Sequence, residues 1–270
     1  AKQAMASPAH ATPTTQPQLA PALKGWTKVS GSLGTEKGGI YTGPDGEKYY
    51  VKIPDNPARA KNEVLANKLY QLTGASIVNQ ELVEVEGKLG VASKWLEGAT
   101  KSTWDQFDKQ AAWNDYAAHA WLNNRDAVGA GSENPMDNIK NYKGSMIIVD
   151  PGGALDYSGM GGSGKKEFSK TPVEFASLLD PNKNASMASV FGGITPNELV
   201  LSTSKLQYAT ENSIKELIDK YHPGSASEKE LMLATLMSRK AAIENAGSLI
   251  AEKIGLGPIT SIKDEIKLAL

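Results

Sequence analysis

The chain has 270 residues, of which 40% are hydrophobic and 22% are charged. It therefore has the composition of a folded globular protein and the length of one two-lobed domain or two small ones. Its 29 basic and 30 acidic residues leave a formal net charge of −1, which argues against a general nucleic-acid-binding surface. Because there are no cysteines and only 3 histidines, disulfides, thiol nucleophiles and cysteine-bound zinc are excluded.

Small and polar residues dominate the first part of the chain. Residues 1–23 consist mostly of Ala, Pro, Thr, Gln and Ser, with too few large apolar groups to offset the entropy lost on ordering. We therefore expect a disordered linker. It lacks the basic start and apolar centre of a secretory signal, and the chain opens with Ala, which leaves room for an upstream domain in a longer parent chain.

A small sheet with one helix is predicted next. Turn signals alternate with short runs of β-branched and aromatic residues, which predicts strands at 26–30, 40–42, 47–53, 76–85 and 88–95. Pro57 opens a helical segment that ends at Leu72, before the stop signal Gly74. We therefore predict an amino-terminal sheet lobe over residues 24–96.

Helices dominate the prediction for the rest of the chain. A long helix is expected over 104–124, because apolar residues recur at helical intervals without an internal Gly or Pro. A strand over 146–149 ends at Asp150, and residues 171–254 are expected to be mainly helical. In the last long helix, one apolar stripe is assigned to the core: Met232, Leu236, Ile243 and Ile250. With a helical lobe over 97–270, the fold class is α+β with two lobes.

Residues that suit phosphate binding lie near the amino-terminal end. A glycine-bearing stretch, 31–39, follows the first predicted strand, and Lys52 lies in the third. Glycines let backbone amides approach phosphate oxygens, and a strand lysine supplies a fixed positive charge. Glu63 lies away from the leucine stripe of its helix, so it either pairs with Lys52 or faces water. Taken singly, each feature is more often explained by a hairpin or a solvated side chain.

Three polar groups follow in the order that phosphoryl transfer requires. Asp126 comes first, then Asn138, then Asp150 at a strand end. An aspartate aligns the attacking hydroxyl, and an asparagine and a second aspartate bind Mg²⁺. Because Mg²⁺ takes oxygen ligands and leaves positions for triphosphate oxygens, the lack of Cys and His clusters is no obstacle.

With these residues in this order, the chain resembles the protein-kinase-like superfamily, and within it the divergent bacterial and phage branch. It looks most like the kinase-like domains of secreted effectors and phage head-morphogenesis proteins. It is more distantly similar to HipA-type toxin kinases and phosphatidylinositol 3/4-kinases. The resemblance runs from about Val29 to Thr195 and rests on four stretches: GS…GGIY…DG…YYVK, NEVLANKLYxLTG, VASKWLEG and NRDAVG…DNI…IIVDPGGAL.

The resemblance implies an enzyme that binds ATP and Mg²⁺ between its two lobes. The implied phosphate loop consists of Gly31, Ser32, Gly38 and Gly39. The implied hinge beside the adenine consists of Lys94, Trp95 and Leu96. Lys52 would contact the nucleotide phosphates, and Glu63 would fix Lys52. Asp126 would be the catalytic aspartate, with Asn138 and Asp150 as the Mg²⁺ ligands.

The chain also departs from the usual protein-kinase pattern. Asn124 stands where many protein kinases have histidine. Twelve positions separate Asp126 from Asn138, rather than the five of H-R-D-x-x-x-x-N, so Asp137 is a rival for the catalytic role. We favour Asp126, because it would end the long predicted helix. Asp150 is followed by Pro-Gly-Gly and no Ala-Pro-Glu follows, so we do not expect a conventional activation loop.

A second nucleotide-binding pattern competes with this interpretation. Residues 159–166, GMGGSGKK, nearly match the P-loop pattern G-x-x-x-x-G-K-[ST], but Lys166 stands in place of the residue that binds Mg²⁺. We interpret them as a glycine-rich loop whose Lys165 and Lys166 are solvated or meet an anionic substrate. His119, inside the long predicted helix, is expected to be a packed or surface residue rather than a catalytic base.

The expected acceptor is a Ser or Thr hydroxyl of a protein. The resemblance implies a bacterial or phage source and a host protein as the target. Two other functions stay open: a lipid or small-molecule kinase, favoured by a basic pocket of Lys165, Lys166 and Lys170, and a kinase-fold module that is inactive or transfers AMP. No apolar run is long enough to span a membrane, so we expect a soluble protein, cytoplasmic or delivered into a host cell.

Overall fold

The computed structural model describes residues 26–33, 37–85, 87–102, 104–129, 137–158 and 165–270. The linker predicted over 1–23 and most of the P-loop-like stretch lie outside these residues. The predicted lobe boundaries, 24–96 and 97–270, stay predictions.

An antiparallel sheet forms the amino-terminal part of the described chain. Its strands are Thr27–Ser30 (β1), Lys37–Thr42 (β2), Lys48–Ile53 (β3), Gln80–Val85 (β4) and Lys88–Lys94 (β5). Among the described residues five strands pair in the order β1-β2-β3-β5-β4. Val51, at the centre of β3, is fully buried. Because side chains alternate along a strand, Lys52 points to the opposite face, where the cleft lies.

One helix, Pro57–Leu72 (α1), packs on this sheet as predicted. The side chain of Asn56 caps its first turn, and Gly74 ends it with a φ of 69°, a conformation that glycine adopts without strain. Leu65 and Leu69 are fully buried. The leucine stripe therefore faces the core, and the opposite side of the helix is left for polar contacts.

A second antiparallel sheet lies beside the first. Among the described residues it has three strands, Thr100–Lys101 (β6), Ile139–Tyr142 (β7) and Ser145–Ile148 (β8). Ile77 forms a parallel bridge with Ile148, so the strand predicted over 76–85 is paired in β4 only from Gln80. This bridge fixes the end of β8 beside the amino-terminal sheet. It thereby brings Asp150, two residues further on, to the cleft.

The single helix predicted over 104–124 is wrong. The structure has two shorter helices, Gln106–Trp113 (α2) and Tyr116–Trp121 (α3). The interruption lies at Asp115, whose carboxylate accepts a hydrogen bond from the backbone of Ser76 at 3.3 Å and lies 2.5 Å from Lys205. These contacts with distant segments override the local helical pattern. Asp126 consequently lies in a turn beyond α3 rather than at the end of a long helix.

Helices form most of the remaining described chain. They are Glu174–Ser177 (α4), Ala185–Phe191 (α5), Pro196–Ser204 (α6), Glu211–Tyr221 (α7), Ala226–Ile254 (α8) and Ile262–Ala269 (α9). The predicted core stripe of α8 is confirmed, since each of its members is at most 4% exposed: Met232, Leu236, Ile243 and Ile250. Over the part of the chain that the structure describes, no helix has the length and apolar character needed to cross a membrane.

Candidate active site

A cleft of about 700 Å³ opens between the two sheets. Its lining includes these predicted site residues: Lys52, Glu63, Lys94, Trp95, Leu96, Asp126, Asn138 and Asp150. The fold thus brings together residues that are far apart in the sequence. Leu33, in the loop between β1 and β2, also lines the cleft.

The ammonium group of Lys52 lies between two carboxylates in this cleft. Its Nζ atom is 2.5 Å from Oε1 of Glu63 and 3.1 Å from Oδ1 of Asp150. The side chains of Lys52 and Glu63 are only 12% and 11% exposed. The predicted pairing of Lys52 with Glu63 is therefore present. The contact with Asp150 also connects β3 to the segment that follows β8.

Two carboxyl groups keep Lys52 in its charged form. Burial acts to lower the pKa of Lys52, but Asp150 and Glu63 outweigh it and raise the pKa, so Lys52 is charged. Burial acts to raise the pKa of Asp150, but Lys52, the backbone hydrogen bond from Gly152 and the charge of Arg59 together hold that pKa below its usual range. The pKa of Glu63 is raised by burial, and Lys52 opposes the shift. One ammonium group thus contacts two carboxyl groups, and Arg59, which also lines the cleft, adds a second positive charge that lowers the pKa of Asp150.

Gln80 supports Glu63 from the sheet side, a contact that the sequence analysis did not anticipate. Its Nε2 atom donates to Oε1 of Glu63 and to Oγ of Ser93, both at 3.0 Å. Gln80 is fully buried, and its Oε1 atom has no hydrogen-bond partner among the described residues. The available signal was a polar residue on the same face of β4 as the buried Leu82.

Asp126 and Asn138 are joined directly on the other side of the cleft. Nδ2 of Asn138 donates to the backbone oxygen of Asp126 at 2.6 Å, which leaves the Asn138 amide oxygen to face elsewhere. Burial and the nearby charge of Asp150 raise the pKa of Asp126 to about 6. A carboxylate with this pKa is ionised at neutral pH yet is a better proton acceptor than an ordinary aspartate.

Asp137, the rival candidate, has different surroundings. Its side chain is 60% exposed, and Oδ1 lies 3.8 Å from Nζ of Lys101 and 3.6 Å from Nζ of Lys140. It therefore belongs to a charged group at the rim of the cleft. The stretch 130–136, which separates it from Asp126 in sequence, lies outside the described residues.

The turn after Asp150 lies close to α1. Oδ1 of Asp150 accepts a hydrogen bond from the backbone of Gly152 at 2.9 Å. A Cβ atom at Gly152 would lie only 3.1 Å from Oε2 of Glu63, so glycine suits this approach. On the same helix, Asn62 donates to the backbone oxygen of Ala154 at 3.0 Å. These contacts hold Asp150 against the helix that carries Glu63.

The predicted phosphate-loop residues fall into two groups. Gly31 and Ser32 lie in the loop after β1, and the tip of that loop, 34–36, lies outside the described residues. Gly38 and Gly39 lie in β2, where an added Cβ would come within 1.8 Å of the Val51 oxygen and 2.2 Å of the Ser30 oxygen, respectively. Close strand packing is therefore sufficient reason for both of these glycines, and a role in binding phosphate stays a prediction for all four residues.

The donor atoms in the cleft fit Mg²⁺. Among the described residues, no group of three or more His, Cys, Asp or Glu side chains could by itself hold a metal ion. Protein Mg²⁺ sites, however, commonly use one or two side chains together with substrate phosphates. The Asp150 carboxylate and the Asn138 amide oxygen, which both line the cleft, supply hard oxygen ligands of this kind.

Lys166 does not form part of an open basic pocket. Its Nζ atom donates hydrogen bonds to the backbone oxygens of Asn123 and Gly153, and burial lowers its pKa to about 7. Lys166 thus links the segment before Asp126 to the turn after Asp150. This connection could not be anticipated from a lysine at the end of a glycine-rich stretch.

Comparison with solved structures identifies the fold. The chain is similar to the crystal structure of CtkA, a proinflammatory kinase from Helicobacter pylori, with a TM-score of 0.55 and 15% sequence identity over 84% of this chain and 94% of that one. A fragment of LepB from Legionella pneumophila has a TM-score of 0.40 and 14% identity over 76% of this chain and 46% of that one, which is too weak to support an argument. No family model and no curated protein matches the sequence.

At 15% identity, the likeness to CtkA concerns the fold alone. The chain has a two-lobed kinase-like fold of the α+β class, with an antiparallel sheet in one lobe and mainly helices in the other, as predicted. Its activity has to be argued from the residues of the cleft.

Proposed function

We propose that the chain is an ATP- and Mg²⁺-dependent phosphotransferase whose acceptor is a Ser or Thr hydroxyl of a protein. The observation that carries this proposal is the position of the Lys52 ammonium between Glu63 and Asp150, in a cleft that Asp126 and Asn138 also line. Phosphoryl transfer uses such a lysine, fixed by a glutamate, beside a metal-binding aspartate. The fold likeness to a protein described as a kinase supports the same reaction.

Each residue of the cleft has a task in this reaction. Lys52 supplies positive charge to the phosphates of ATP, and Trp95 lies beside the adenine. Asn138 and Asp150 would hold Mg²⁺, which would neutralise charge on the phosphate oxygens. Lys52 and Trp95 hold ATP with its γ-phosphorus open to attack from the side opposite its bridging oxygen.

Asp126 acts on the acceptor rather than on ATP. It accepts a hydrogen bond from the acceptor hydroxyl and takes its proton as the oxygen bonds to the γ-phosphorus. The bond from that phosphorus to the bridging oxygen breaks, and ADP leaves. The raised pKa of Asp126, about 6, suits a group that must be ionised at neutral pH and then hold a proton.

A protein acceptor is preferred to a lipid or small molecule for two reasons. The basic pocket that would favour the alternative was expected from Lys165, Lys166 and Lys170, and the Lys166 side chain instead donates to the backbone oxygens of Asn123 and Gly153. The resemblance to kinase-like domains of bacterial effectors favours a protein target. A bacterial or phage source and a host protein as substrate rest on that resemblance as well.

The test is label transfer from ATP by the purified chain with Mg²⁺ and a degenerate Ser/Thr peptide library. The peptides are expected to become labelled with γ-labelled ATP and not with α-labelled ATP. Labelling by α-labelled ATP would favour AMP transfer instead. Lys52→Met should abolish transfer. Lys48→Met is the matched control, because Lys48 lies on the same strand but its side chain is 50% exposed, and it should retain activity. Transfer by folded Lys52→Met would overturn the assignment.

A further inference from the structure

The hydroxyl group of Tyr70 lies between α1 and the segment that carries Asp126. Its oxygen is 2.8 Å from Nδ1 of His119 in α3 and 3.0 Å from Nδ2 of Asn124. Tyr70 and Asn124 are fully buried and His119 is 1% exposed. The three side chains therefore meet away from solvent, where an unsatisfied polar group is costly.

The direction of each hydrogen bond follows from the donors present. The backbone nitrogen of Asp126 can only donate, so the Asn124 atom 3.2 Å from it is the oxygen Oδ1. The other amide atom, Nδ2, then donates to the Tyr70 oxygen. The buried Tyr70 proton then has Nδ1 of His119, 2.8 Å away, as its acceptor, which assigns the ring proton of the neutral His119 to Nε2; burial lowers the pKa of His119 to about 3. Asp126, Asn124, Tyr70 and His119 thus form one continuous chain of hydrogen bonds.

This chain connects the two sides of the cleft. Tyr70 and Glu63 lie seven residues apart on α1, close to two full turns, so they share a face of the helix. α1 therefore carries both Glu63, the partner of Lys52, and Tyr70, whose hydroxyl group holds Asn124. Removal of the Tyr70 hydroxyl would leave Nδ2 of Asn124 without its acceptor in a buried site, which favours rotation of the amide away from the Asp126 backbone.

We propose that Tyr70 is a positioning residue for Asp126 and acts through Asn124. The inference rests on the proposed function, because the orientation of Asp126 affects the rate only when Asp126 aligns an acceptor. Tyr70 itself does not line the cleft among the described residues. Its effect is therefore expected on turnover rather than on nucleotide binding.

Tyr70→Phe tests the proposal, because it removes only the hydroxyl group. Tyr116→Phe is a matched control: Tyr116 is fully buried and donates its hydroxyl to the backbone oxygen of Phe175 at 2.6 Å, not to the hydrogen-bond chain of Asn124. Tyr70→Phe should lower kcat by about tenfold to a hundredfold and change KM for ATP less than about twofold. Tyr116→Phe should leave both values near those of the wild type.

A double variant tests the route through Asn124. If Tyr70 acts through Asn124, Tyr70→Phe combined with Asn124→Ala should lose no more kcat than Asn124→Ala alone. If the two losses in kcat multiply, Tyr70 acts independently and the proposal is wrong. Equal kcat in Tyr70→Phe and Tyr116→Phe would also overturn it.

Hydrogen exchange supplies a readout that does not depend on activity. Backbone amides of residues 122–128 should exchange faster in Tyr70→Phe than in the wild type or in Tyr116→Phe, because the Asp126 backbone has lost its fixed acceptor. Unchanged exchange in Tyr70→Phe would overturn the role of Tyr70. A wild-type chain that transfers no phosphate would overturn the proposed function instead, so the two failures are distinguishable.

Discussion

Asn138 donates a hydrogen bond of 2.6 Å from its side chain to the backbone oxygen of Asp126. The bond joins the residue proposed to bind Mg²⁺ to the residue proposed to align the acceptor. Because Nδ2 is the donor, the amide oxygen is turned away from Asp126 and is left to coordinate a cation. Metal binding by Asn138 and acceptor alignment by Asp126 therefore both depend on this hydrogen bond.

The proposed metal ligands should control nucleotide binding in a Mg²⁺-dependent way. Asp150→Ala removes a carboxylate and should abolish the gain in ATP affinity that Mg²⁺ provides; Asn138→Ala, which removes a neutral ligand, should reduce it less. Calorimetric titration of ATP with and without Mg²⁺ measures this. Asp55→Ala is a suitable control, since Asp55 is 83% exposed and pairs with Lys37. Unchanged Mg²⁺-ATP affinity in both cleft variants would contradict the placement of the metal.

Substitution of the glycines in and before β2 should distinguish a glycine that binds phosphate from one that the strand packing requires. At Gly31 an added Cβ has no neighbour within 4 Å, whereas at Gly38 it would lie 1.8 Å from the Val51 oxygen and φ is 142°. Gly31→Ala should leave the melting temperature unchanged and raise KM for ATP severalfold, if backbone amides there approach phosphate. Gly38→Ala should lower the free energy of unfolding by roughly 1–3 kcal/mol. An unchanged KM in Gly31→Ala would remove this residue from the phosphate loop.

Arg239 of α8 should be essential for stability. Its guanidinium lies 2.7 Å from Glu174, with the two side chains 1% and 2% exposed, and it also donates to the backbone oxygen of Trp121 at 2.8 Å. Arg239→Met leaves Glu174 with Arg125 as its remaining partner and leaves the buried backbone oxygens of Ala120 and Trp121 without this donor. It should therefore lower the free energy of unfolding by roughly 3–5 kcal/mol in urea titrations. Lys215→Met, which breaks an exposed pair, should cost less than about 1 kcal/mol. Equal costs would contradict the argument.

The sequence predicted features that depend on neighbouring residues. The start of α1 after Asn56 and the inward and outward alternation of β3 around Lys52 are of this kind, because caps and alternation are local. The order of Asp126, Asn138 and Asp150 indicated the chemistry without giving their distances.

The features that the sequence did not predict depend on contacts between distant segments. Asp115 interrupts a helical pattern because Ser76 and Lys205 bind it, and neither is near it in the sequence. Gln80 beside Glu63 and Arg239 beside Glu174 likewise become neighbours only when the chain folds. Tertiary contacts outweigh local propensity at such positions.

The pH dependence of transfer should reflect Asp126. Since burial and Asp150 raise its pKa to about 6 and the ionised form is the active one, kcat/KM for the acceptor should rise as the pH increases through about 6 and level off above it. The measurement is a pH–rate profile at ATP concentrations well below KM, where the nucleotide-free chain sets the position of the acid limb. An acid limb near pH 4, the range of an ordinary aspartate, would contradict the assigned surroundings of Asp126.

The choice between Asp126 and Asp137 can be decided by two matched variants. The original reason for Asp126, a position at the end of a long helix, is not valid because that helix is interrupted. Asp126 is now favoured because it is held by Asn124 and Asn138, whereas Asp137 is 60% exposed near two lysines. Asp126→Asn should lower kcat by about 10²–10⁴-fold with little change in ATP affinity, and Asp137→Asn should lower it far less.

Stability provides the control for the loss of activity in Asp126→Asn. The folded-state pKa of Asp126 lies above its unfolded value of 3.8, so the folded state binds the extra proton between about pH 4 and 6, and its stability falls as the pH rises through that range. Asparagine does not ionise. Asp126→Asn should therefore melt at a higher temperature than the wild type at pH 8 and at a similar temperature below pH 4. An inactive variant with this thermal behaviour has lost a catalytic group and not its fold, whereas a fully active one would transfer the role to Asp137.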